Sequence, residues 1–471
     1  MPDYKLQEHQ NDAVKQFNKT KSQILFHGLG SGKSLSSIAI GEQDPSESKL
    51  VLTPASLSHN YIKELKKFNV PLDNYHLVSY EKYRLNPDFY LSKYKPKMII
   101  ADELHRAQNE SSLTGDTLRY SRSKVNKMLG LSGSIAQNSP TEIASLLHTV
   151  AGKPVLGTEK EFRANFIKER KIGPGLIGRL MGRKGGTIQE AKNLDKFKEL
   201  ASPYINTFSG NEDYNKHLPK VEEEIQRIGM SKEQQGYYDY AFKQAPGWVK
   251  YKINHNLPLN KRESVNLNAF SIAGRQISNS VEGYGGSTHT PKIDAIMSDI
   301  QQGMKKDKNF KAAIYSGFLE SGLDPIARKL KKRNIPYGMF TGEQSKEERN
   351  QMVTDYNKGK LKTLLISPAG GEGLDLHNTK MMGIVDQSWN PQKTLQAIGR
   401  AARYDSHKSL PEEERKLKVI QYLSEPRLGM FGKIKRYFNP NIHKIGIDEY
   451  MRNRSMEKQQ LNDQFTNVLK G

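Results

Sequence analysis

The sequence predicts an α/β protein in which parallel sheets carry helices on both faces. A glycine-rich turn near the start of the chain stands between a short apolar run and a helical pattern, and further apolar runs alternate with helical patterns after it. Alternation of this kind favours a parallel sheet whose ligands bind at the carboxyl ends of the strands. The length of 471 residues suggests two to four domains.

The glycine-rich turn lies within the segment ILFHGLGSGKS at residues 24–34. Residues 24–26 predict a buried strand, and residues 35–40 predict a helix. The turn is similar to the phosphate-binding pattern in which a glycine is followed, after four further residues, by Gly-Lys-Ser or Gly-Lys-Thr. His27 stands where the first glycine of this pattern is expected, and Gly28 follows one place late. A glycine-rich turn that binds nothing is the alternative.

Each residue of this turn has a chemical role if the turn binds ATP. Glycines let backbone N–H groups close around phosphate oxygens. Lys33 would reach the β- and γ-phosphates, and the Ser34 hydroxyl would be a ligand of Mg²⁺. The candidate ATP contacts are Gly28, Gly30, Ser31, Gly32, Lys33 and Ser34.

Composition narrows the class of protein. Lysine and arginine number 73 against 51 aspartate and glutamate, a net charge of +22, which favours a nucleic-acid partner over a merely soluble surface. The absence of cysteine excludes disulfides, thiolate zinc sites and thiol catalysis. No apolar run of about 18 residues occurs, and the start MPDYKLQEHQ does not resemble a signal peptide, so we expect an intracellular protein without membrane contact.

The elements around the turn follow in order. Residues 5–17 have helical spacing of apolar residues and carry Gln10, a candidate for the adenine edge, although spacing alone favours an ordinary polar position. Residues 49–54 predict a second strand that ends near Thr53, and residues 57–68 predict an amphipathic helix.

An acidic pair ends the next predicted strand, in the segment MIIADELH at residues 98–105. Asp102 would hold Mg²⁺ through water, and Glu103 would orient or deprotonate the attacking water. An acidic pair is common in any loop, but its position after a buried strand and about seventy residues beyond the turn favours catalysis. The segment LGLSGSIAQN at residues 129–138 either couples phosphate state to a second domain or is an ordinary strand and turn.

These segments together resemble a known family. GLGSGKS, DELH and LSGSIAQN, in this order, resemble motifs I, II and III of superfamily 2 helicase-like ATPases. The stretch LVLTPASLSHNYIKELKKF resembles motif Ia of the Swi/Snf-like branch. The resemblance implies two RecA-like lobes, each with a parallel sheet flanked by helices, an ATP cleft between the lobes, and ATP and Mg²⁺ as cofactors.

The middle of the chain is less regular. Residues 168–186 are basic and glycine-rich, and they form either a phosphate-contacting insertion or an exposed loop. Residues 218–242 resemble the start of the second lobe in remodeller-like ATPases. Residues 243–290 are polar and poorly periodic, which indicates an insertion in that lobe or a loop over the cleft.

The second lobe has three predicted strands at residues 312–316, 337–342 and 361–367. The last opens into PAGGEGLDL, which resembles motif V and offers Gly373 and Asp375 as candidate cofactor contacts. Residues that end or follow predicted strands are the candidates for contacts to nucleic acid: Thr53, Ser316, Ser367 and Trp389.

The segment QAIGRAAR at residues 396–403 resembles motif VI. Arg400 and Arg403 are three residues apart and would share a face of a helix. Their guanidinium groups can stabilise charge on the transferring phosphoryl group, so both are candidate catalytic residues. A basic helix face without catalytic role is the alternative.

The continuation to the end of the chain resembles the transcription-associated ATPases of large DNA viruses, of the poxvirus nucleoside triphosphatase I and early-transcription-factor type. The tail predicts a helix with Leu461, Phe465 and Val468 on one face. The expected domains are lobe 1 at residues 1–217, lobe 2 at 218–430 and a helical extension at 431–471.

Three functions fit these observations. The first is an ATP-driven translocase on duplex DNA, acting in viral or phage-like transcription, replication or DNA remodelling. The second is a strand-separating DNA or RNA helicase, and the third is a binding protein with a degenerate ATPase, which the intact candidate catalytic residues disfavour. No accessory reader domain is visible, so partners such as RNA polymerase or replication proteins would supply targeting.

Overall fold

The computed structural model describes residues 4–28, 30–173, 185–259, 261–368, 374–429 and 444–470. Its strands are β1 (Ser22–His27), β2 (Lys49–Thr53), β3 (Tyr75–Ser79), β4 (Met98–Asp102), β5 (Lys127–Ser132), β6 (Ile167–Ile172), β7 (Gly186–Ala191), β8 (Ile205–Phe208), β9 (Lys220–Gly229), β10 (Ala312–Tyr315), β11 (Tyr337–Phe340), β12 (Thr363–Ile366), β13 (Met381–Ile384) and β14 (Lys416–Glu425). Its α-helices are Glu8–Thr20, Lys33–Gly41, Ser58–Lys67, Tyr80–Leu85, Pro87–Tyr94, Leu113–Arg122, Thr141–Ala151, Glu159–Phe166, Leu194–Ala201, Glu212–Lys216, Lys232–Gln244, Gly247–Asn254, Lys261–Asn279, Pro291–Lys306, Asp324–Lys332, Lys346–Asn357, Pro391–Ala401 and Ile447–Lys470.

The first sheet has six parallel strands in the order β3-β2-β4-β5-β1-β8. Every residue of β1 is buried, because a parallel strand with helices on both faces has no solvent side. Successive side chains point to opposite faces, so that Ile24 and Phe26 pack in one apolar cluster and Leu25 in another.

The second sheet also has six parallel strands, in the order β11-β12-β10-β13-β14-β9. Ala312 and Ile314 of β10 pack in one apolar cluster, and Ala313 and Tyr315 pack in another on the opposite face. The prediction of two parallel-sheet α/β domains flanked by helices is therefore confirmed.

The chain divides into two compact units. The first unit comprises Met1–Glu169, Gln189–Asn215 and Lys458–Gly471, and the second unit comprises Arg170–Ile188 and Lys216–Glu457. The predicted domain boundaries at residues 217 and 430 stay predictions, and residues 430–443 lie outside the described residues.

The predicted C-terminal helix exists, and its last turns pack within the first unit. Phe465 is fully buried, and its ring lies 5.5 Å from the ring of Phe162 and 5.0 Å from that of Phe197. Leu461 is also buried and Val468 is partly buried in the same apolar cluster, as expected for one face of an amphipathic helix.

The loop alternative for residues 243–290 is wrong, because helices fill most of this segment. Val249 and Ile253 lie one turn apart on the helix Gly247–Asn254, and both are buried. Leu267 and Phe270 on the helix Lys261–Asn279 belong to the same apolar cluster. Apolar residues at helical spacing supply this core, although polar residues outnumber them and hide the period.

The basic, glycine-rich segment predicted at residues 168–186 lies partly outside the described residues. Its residues 168–172 belong to β6 and its residue 186 begins β7, and these two strands pair with each other. Both alternatives for the segment stay open. Among the described helices, none combines the length and the apolar character that a membrane crossing requires.

Candidate nucleotide-binding and catalytic site

The glycine-rich turn connects the buried strand β1 to the helix Lys33–Gly41. Gly30 and Gly32 have backbone φ angles of 81° and 75°, in the left-handed region that glycine adopts without strain. A Cβ atom on Gly32 would lie 2.6 Å from Nε2 of Gln10. The backbone angle therefore favours glycine at position 32, and a larger residue would also have to displace the Gln10 amide.

Lys33 begins the helix and reaches back over the turn. Its ammonium group donates hydrogen bonds to the carbonyl oxygens of His27 and Gly28, each at 2.9 Å. The Ser31 hydroxyl also donates to the Gly28 carbonyl, at 2.8 Å. A positive charge held inside a glycine-rich turn at a helix amino terminus is suited to bind phosphate.

Gln10 lies directly against this turn, although 22 residues separate it from Gly32 in the sequence. Its side-chain carbonyl accepts a hydrogen bond from the Gln7 backbone at 2.9 Å, and the residue is buried. On the same helix, the His9 ring bonds the Ser31 carbonyl at 3.1 Å. The fold thus brings Gln10 to the turn, and its contact with adenine stays a prediction.

Asp102 ends β4, two strands away from β1 in the first sheet. Burial, and then the neighbouring Glu103 carboxylate, raise the pKa of the Asp102 carboxyl to about 6, while the Lys33 charge opposes this rise. Lys33 follows the turn after β1 and Asp102 ends β4, so both residues lie at the carboxyl edge of the same parallel sheet. This is the edge where parallel α/β sheets bind ligands.

Glu103 has a left-handed backbone with φ of 52°, and its N–H donates to the Asp102 carboxylate at 3.0 Å. The Glu103 carboxylate lies 3.2 Å from the His105 ring, which in turn lies 3.4 Å from the hydroxyl of Ser132 at the end of β5. The acidic pair is thus connected to the predicted coupling segment at residues 129–138.

The side chains at this edge fit a magnesium ion held together with phosphates. Mg²⁺ takes oxygen ligands and usually retains several waters beside one or two carboxylates and substrate phosphates. Asp102 offers such a carboxylate and Ser34 a hydroxyl. Over the described ranges, no group of three or more His, Asp or Glu side chains could hold a metal ion on its own.

The four candidate nucleic-acid contacts have different surroundings. Thr53 is fully buried at the end of β2. Ser316 is also fully buried, and its hydroxyl donates to the Asp386 carboxylate at 2.5 Å. Ser367 is buried after β12, and the Trp389 ring packs edge to face on Tyr450 at 6.3 Å. Their contacts with nucleic acid stay predictions.

The helix that carries Arg400 spans Pro391–Ala401, so Arg403 lies beyond its end. The argument that the two arginines share a helix face is therefore wrong, because the backbone leaves the helical conformation at Ala402. Arg403 instead reaches within 4.0 Å of the Asp375 carboxylate. The catalytic roles of both arginines stay predictions.

Asp375 is held by two basic neighbours in the second unit. A hydrogen bond from His377 at 3.3 Å, and then the charge of Arg403, hold the pKa of the Asp375 carboxyl below its usual range. Gly373, predicted to bind the cofactor beside Asp375, lies outside the described residues.

Sequence reasoning missed the residues that support the glycine-rich turn from β8. The His27 ring forms a hydrogen bond of 2.7 Å with the side-chain oxygen of Asn206. The side-chain NH₂ group of Asn206 donates to the side-chain oxygen of Gln16 at 2.8 Å. Burial lowers the pKa of His27 to about 4, so this ring is neutral at pH 7. No local signal connects residues about 180 positions apart, and only the pairing of β1 with β8 does so.

Comparisons with known proteins agree with this geometry. A family model described as the SNF2-related domain matches residues 74–283, and one described as the helicase conserved C-terminal domain matches residues 292–405. A protein of Acanthamoeba polyphaga mimivirus named as an ATP-dependent RNA helicase is 28% identical over 478 residues and covers 98% of this chain and 96% of its own length.

A termination factor NPH-I homolog of African swine fever virus is 22% identical over 567 residues, which cover 97% of this chain and 76% of that protein. Among solved structures, the Hef helicase domain of Pyrococcus furiosus aligns with a TM-score of 0.51 at 14% identity, over 93% of this chain and 98% of that domain. This last likeness concerns the fold alone. The chain thus carries an SNF2-related domain and a helicase conserved C-terminal domain, and together with its viral relatives these domains show a helicase-like ATP hydrolase.

Proposed function

We propose that this ATPase is a translocase that moves along duplex DNA without separating the strands. The observation that carries the proposal is the site in the first unit, where Lys33 and Asp102 lie at the carboxyl edge of one parallel sheet in a chain matched by the SNF2-related domain model. The net charge of +22 supports a polyanionic track. ATP hydrolysis at that site would drive the movement.

Each residue of the site has a defined part in the proposed hydrolysis. Backbone N–H groups of the turn at Gly30–Gly32 and the Lys33 ammonium bind the β- and γ-phosphates. Ser34 and Asp102 hold Mg²⁺, which when bound neutralises charge on the phosphates. The Glu103 carboxylate orients the attacking water and accepts its proton.

The remaining groups in this proposal are two arginines, an aspartate and a glutamine. Arg400 and Arg403 stabilise the negative charge that develops on the transferring phosphoryl group. Asp375 lies within 4.0 Å of Arg403 and would keep its guanidinium oriented. Adenine would be bound by Gln10, which lies against Gly32.

A strand-separating helicase is the second candidate function. The mimivirus relative that covers 98% of this chain is named as an RNA helicase, which favours this alternative. The swine fever virus relative is named as a termination factor homolog, which favours a role in transcription. We therefore propose a viral or phage-like setting inside the host cell, with RNA polymerase or replication proteins as partners.

The first test is steady-state ATPase activity with no nucleic acid, single-stranded DNA, duplex DNA and single-stranded RNA. We expect duplex DNA to give the largest stimulation. Lys33→Ala serves as the inactive reference, and Lys19→Ala, an exposed lysine on the first helix, is the matched control that should keep full activity. Stimulation by RNA alone would overturn the choice of duplex DNA.

The second test separates translocation from unwinding. A translocase on duplex DNA should displace the third strand of a triplex in an ATP-dependent manner while leaving a forked duplex intact. A helicase should open the fork. If nucleic acid stimulates the ATPase activity but neither the third strand of the triplex nor a strand of the fork is displaced, both candidate functions are contradicted.

A further inference from the structure

The second sheet brings three lysine-rich segments together at its amino edge. All of its strands are parallel, and β11, β12 and β10 are neighbours, so the segments that enter them lie at one edge. The Ala312 N–H donates to the Lys362 carbonyl at 2.9 Å, and the Lys362 N–H donates to the Pro336 carbonyl at 2.8 Å. The three entering segments therefore run side by side.

We call these segments the amino-edge lysine cluster, which comprises residues 305–311, 331–333 and 358–362. They contain ten lysines and arginines and one aspartate, which gives a net charge of +9. The whole chain has a net charge of +22, so a few residues carry about two fifths of it.

Most of these basic side chains are exposed and unpaired. The exposed members are Lys305, Lys306, Lys308, Lys331, Lys332, Arg333, Lys358 and Lys360. Lys360 forms an ion pair with Asp355 at 3.1 Å. For the other seven, no carboxylate of the described residues lies within ion-pair distance.

The positive charges are close enough to act on one another. Lys311 is the buried member of the cluster, and its ammonium donates to the carbonyls of Tyr356 at 3.2 Å and Asn357 at 3.3 Å. Burial, and then the charge of Lys362, lower the pKa of Lys311 to about 8. A fold that tolerates this repulsion gains stability when an anion binds nearby.

Helix ends alone do not account for this charge. The helices Pro291–Lys306, Asp324–Lys332 and Lys346–Asn357 end at this edge, and lysines in a last turn complement the helix dipole. Each carboxyl terminus is equivalent to about half a negative charge, so three of them supply about −1.5 and balance only about +1.5 of the cluster's charge. Most of the +9 is left without a partner inside the described protein.

We propose that the amino-edge lysine cluster is a binding site for the sugar-phosphate backbone of a nucleic acid strand. Neighbouring strands are about 4.8 Å apart, so adjacent segments lie within one Debye length, about 8 Å at physiological salt, and the three segments present their charges across about 10 Å. Ser316 and Ser367 follow strands of the same sheet at the opposite, carboxyl edge. The cluster is thus a second nucleic-acid site, additional to the track of the proposed translocase.

The test uses the full chain without nucleotide and two labelled probes, a DNA duplex of about 30 base pairs and a single-stranded RNA of about 30 nucleotides. The variants are Lys305→Gln/Lys306→Gln, Lys331→Gln/Lys332→Gln and the combination of the two. Lys232→Gln/Lys243→Gln is the matched control, because it removes two exposed lysines from another helix of the second unit. Fluorescence anisotropy at several salt concentrations gives the affinity and its salt dependence.

Each lost phosphate contact lowers the slope of log affinity against log salt by about 0.9 on duplex and about 0.7 on single strands. At about 0.15 M salt this corresponds to about fivefold weaker binding for each lost duplex contact. We expect each of the two double variants to lose affinity and salt dependence on at least one probe. The loss should be larger in the combined variant and absent in the control. The probe that shows the loss identifies the nucleic acid bound.

Two outcomes would overturn the inference. If the combined variant has the same slope and affinity as the control on both probes, the cluster binds no nucleic acid, while the proposed translocase is untouched. If the wild-type chain binds neither probe, both proposals fail. Far-ultraviolet circular dichroism of each variant confirms that the fold is retained, so weaker binding is not caused by unfolding.

Discussion

A buried ion pair in the second unit provides a stability prediction whose size follows from the structure. Lys292 and Asp448 lie 2.6 Å apart, and both side chains are 0% exposed. The Lys292 ammonium also donates to the Asn279 side chain at 2.9 Å and to the Val385 carbonyl at 3.0 Å. Asp448 additionally accepts a bond from the Ser424 N–H at 3.0 Å.

Replacing one partner should destabilise the second unit strongly. In Lys292→Met, the Asp448 carboxylate stays buried with the Ser424 N–H as its remaining donor, and such an uncompensated charge costs about 3–5 kcal/mol. The double variant Lys292→Met/Asp448→Leu removes both charges and should lose much less than Lys292→Met alone. Lys329→Met is the matched control, because its pair with Asp294 is partly exposed and is worth about 0–1 kcal/mol.

Urea unfolding followed by tryptophan fluorescence measures these effects in the correct unit. The chain has two tryptophans, Trp248 and Trp389, and both belong to the second unit. Trp389 also packs on Tyr450, two residues after Asp448. A loss below about 1 kcal/mol in Lys292→Met, or a double variant as unstable as that single variant, would refute the reasoning.

Three further predictions concern catalysis. Lys33→Ala should abolish ATP hydrolysis, which steady-state turnover measures. It should leave nucleic-acid binding intact, because other basic residues hold the nucleic acid, and fluorescence anisotropy measures this binding. Glu103→Gln should bind ATP but hydrolyse it slowly, since Mg²⁺ binding by Asp102 remains, and an equal loss of ATP affinity would contradict this division of roles. Arg403→Ala should lower the stimulated rate about 10³-fold, whereas an unchanged maximum rate at higher DNA concentration would make Arg403 a nucleic-acid contact.

The first unit was predictable from sequence because its signals are local. A buried strand followed by glycines, lysine and a helix occupies residues 22–41 without interruption, and the acidic pair directly follows another buried strand. Parallel topology then carries both to the same sheet edge. The position of Gln10 against Gly32 is not local, and only the packing of the first helix against the turn shows it.

The second unit was harder to predict because its decisive contacts are between distant segments. Ser316 looks like an exposed polar residue at a strand end, yet its hydroxyl is buried against Asp386, and Arg275 pairs with the same carboxylate at 2.6 Å. Arg275 belongs to the segment whose helical period is hidden by polar residues. Sequence spacing also placed Arg403 on a helix that in fact ends at Ala401.

The amino-edge lysine cluster is the strongest case of such long-range assembly. Each of its three segments, taken alone, is an ordinary helix end with lysines that complement the dipole, so nothing in any one of them indicates a binding site. The strand order β11-β12-β10 makes them neighbours, although about 50 residues separate the first segment from the last. The charges of adjacent segments then reinforce one another within a Debye length, and a property of the sheet topology becomes an electrostatic surface that can hold a nucleic acid strand.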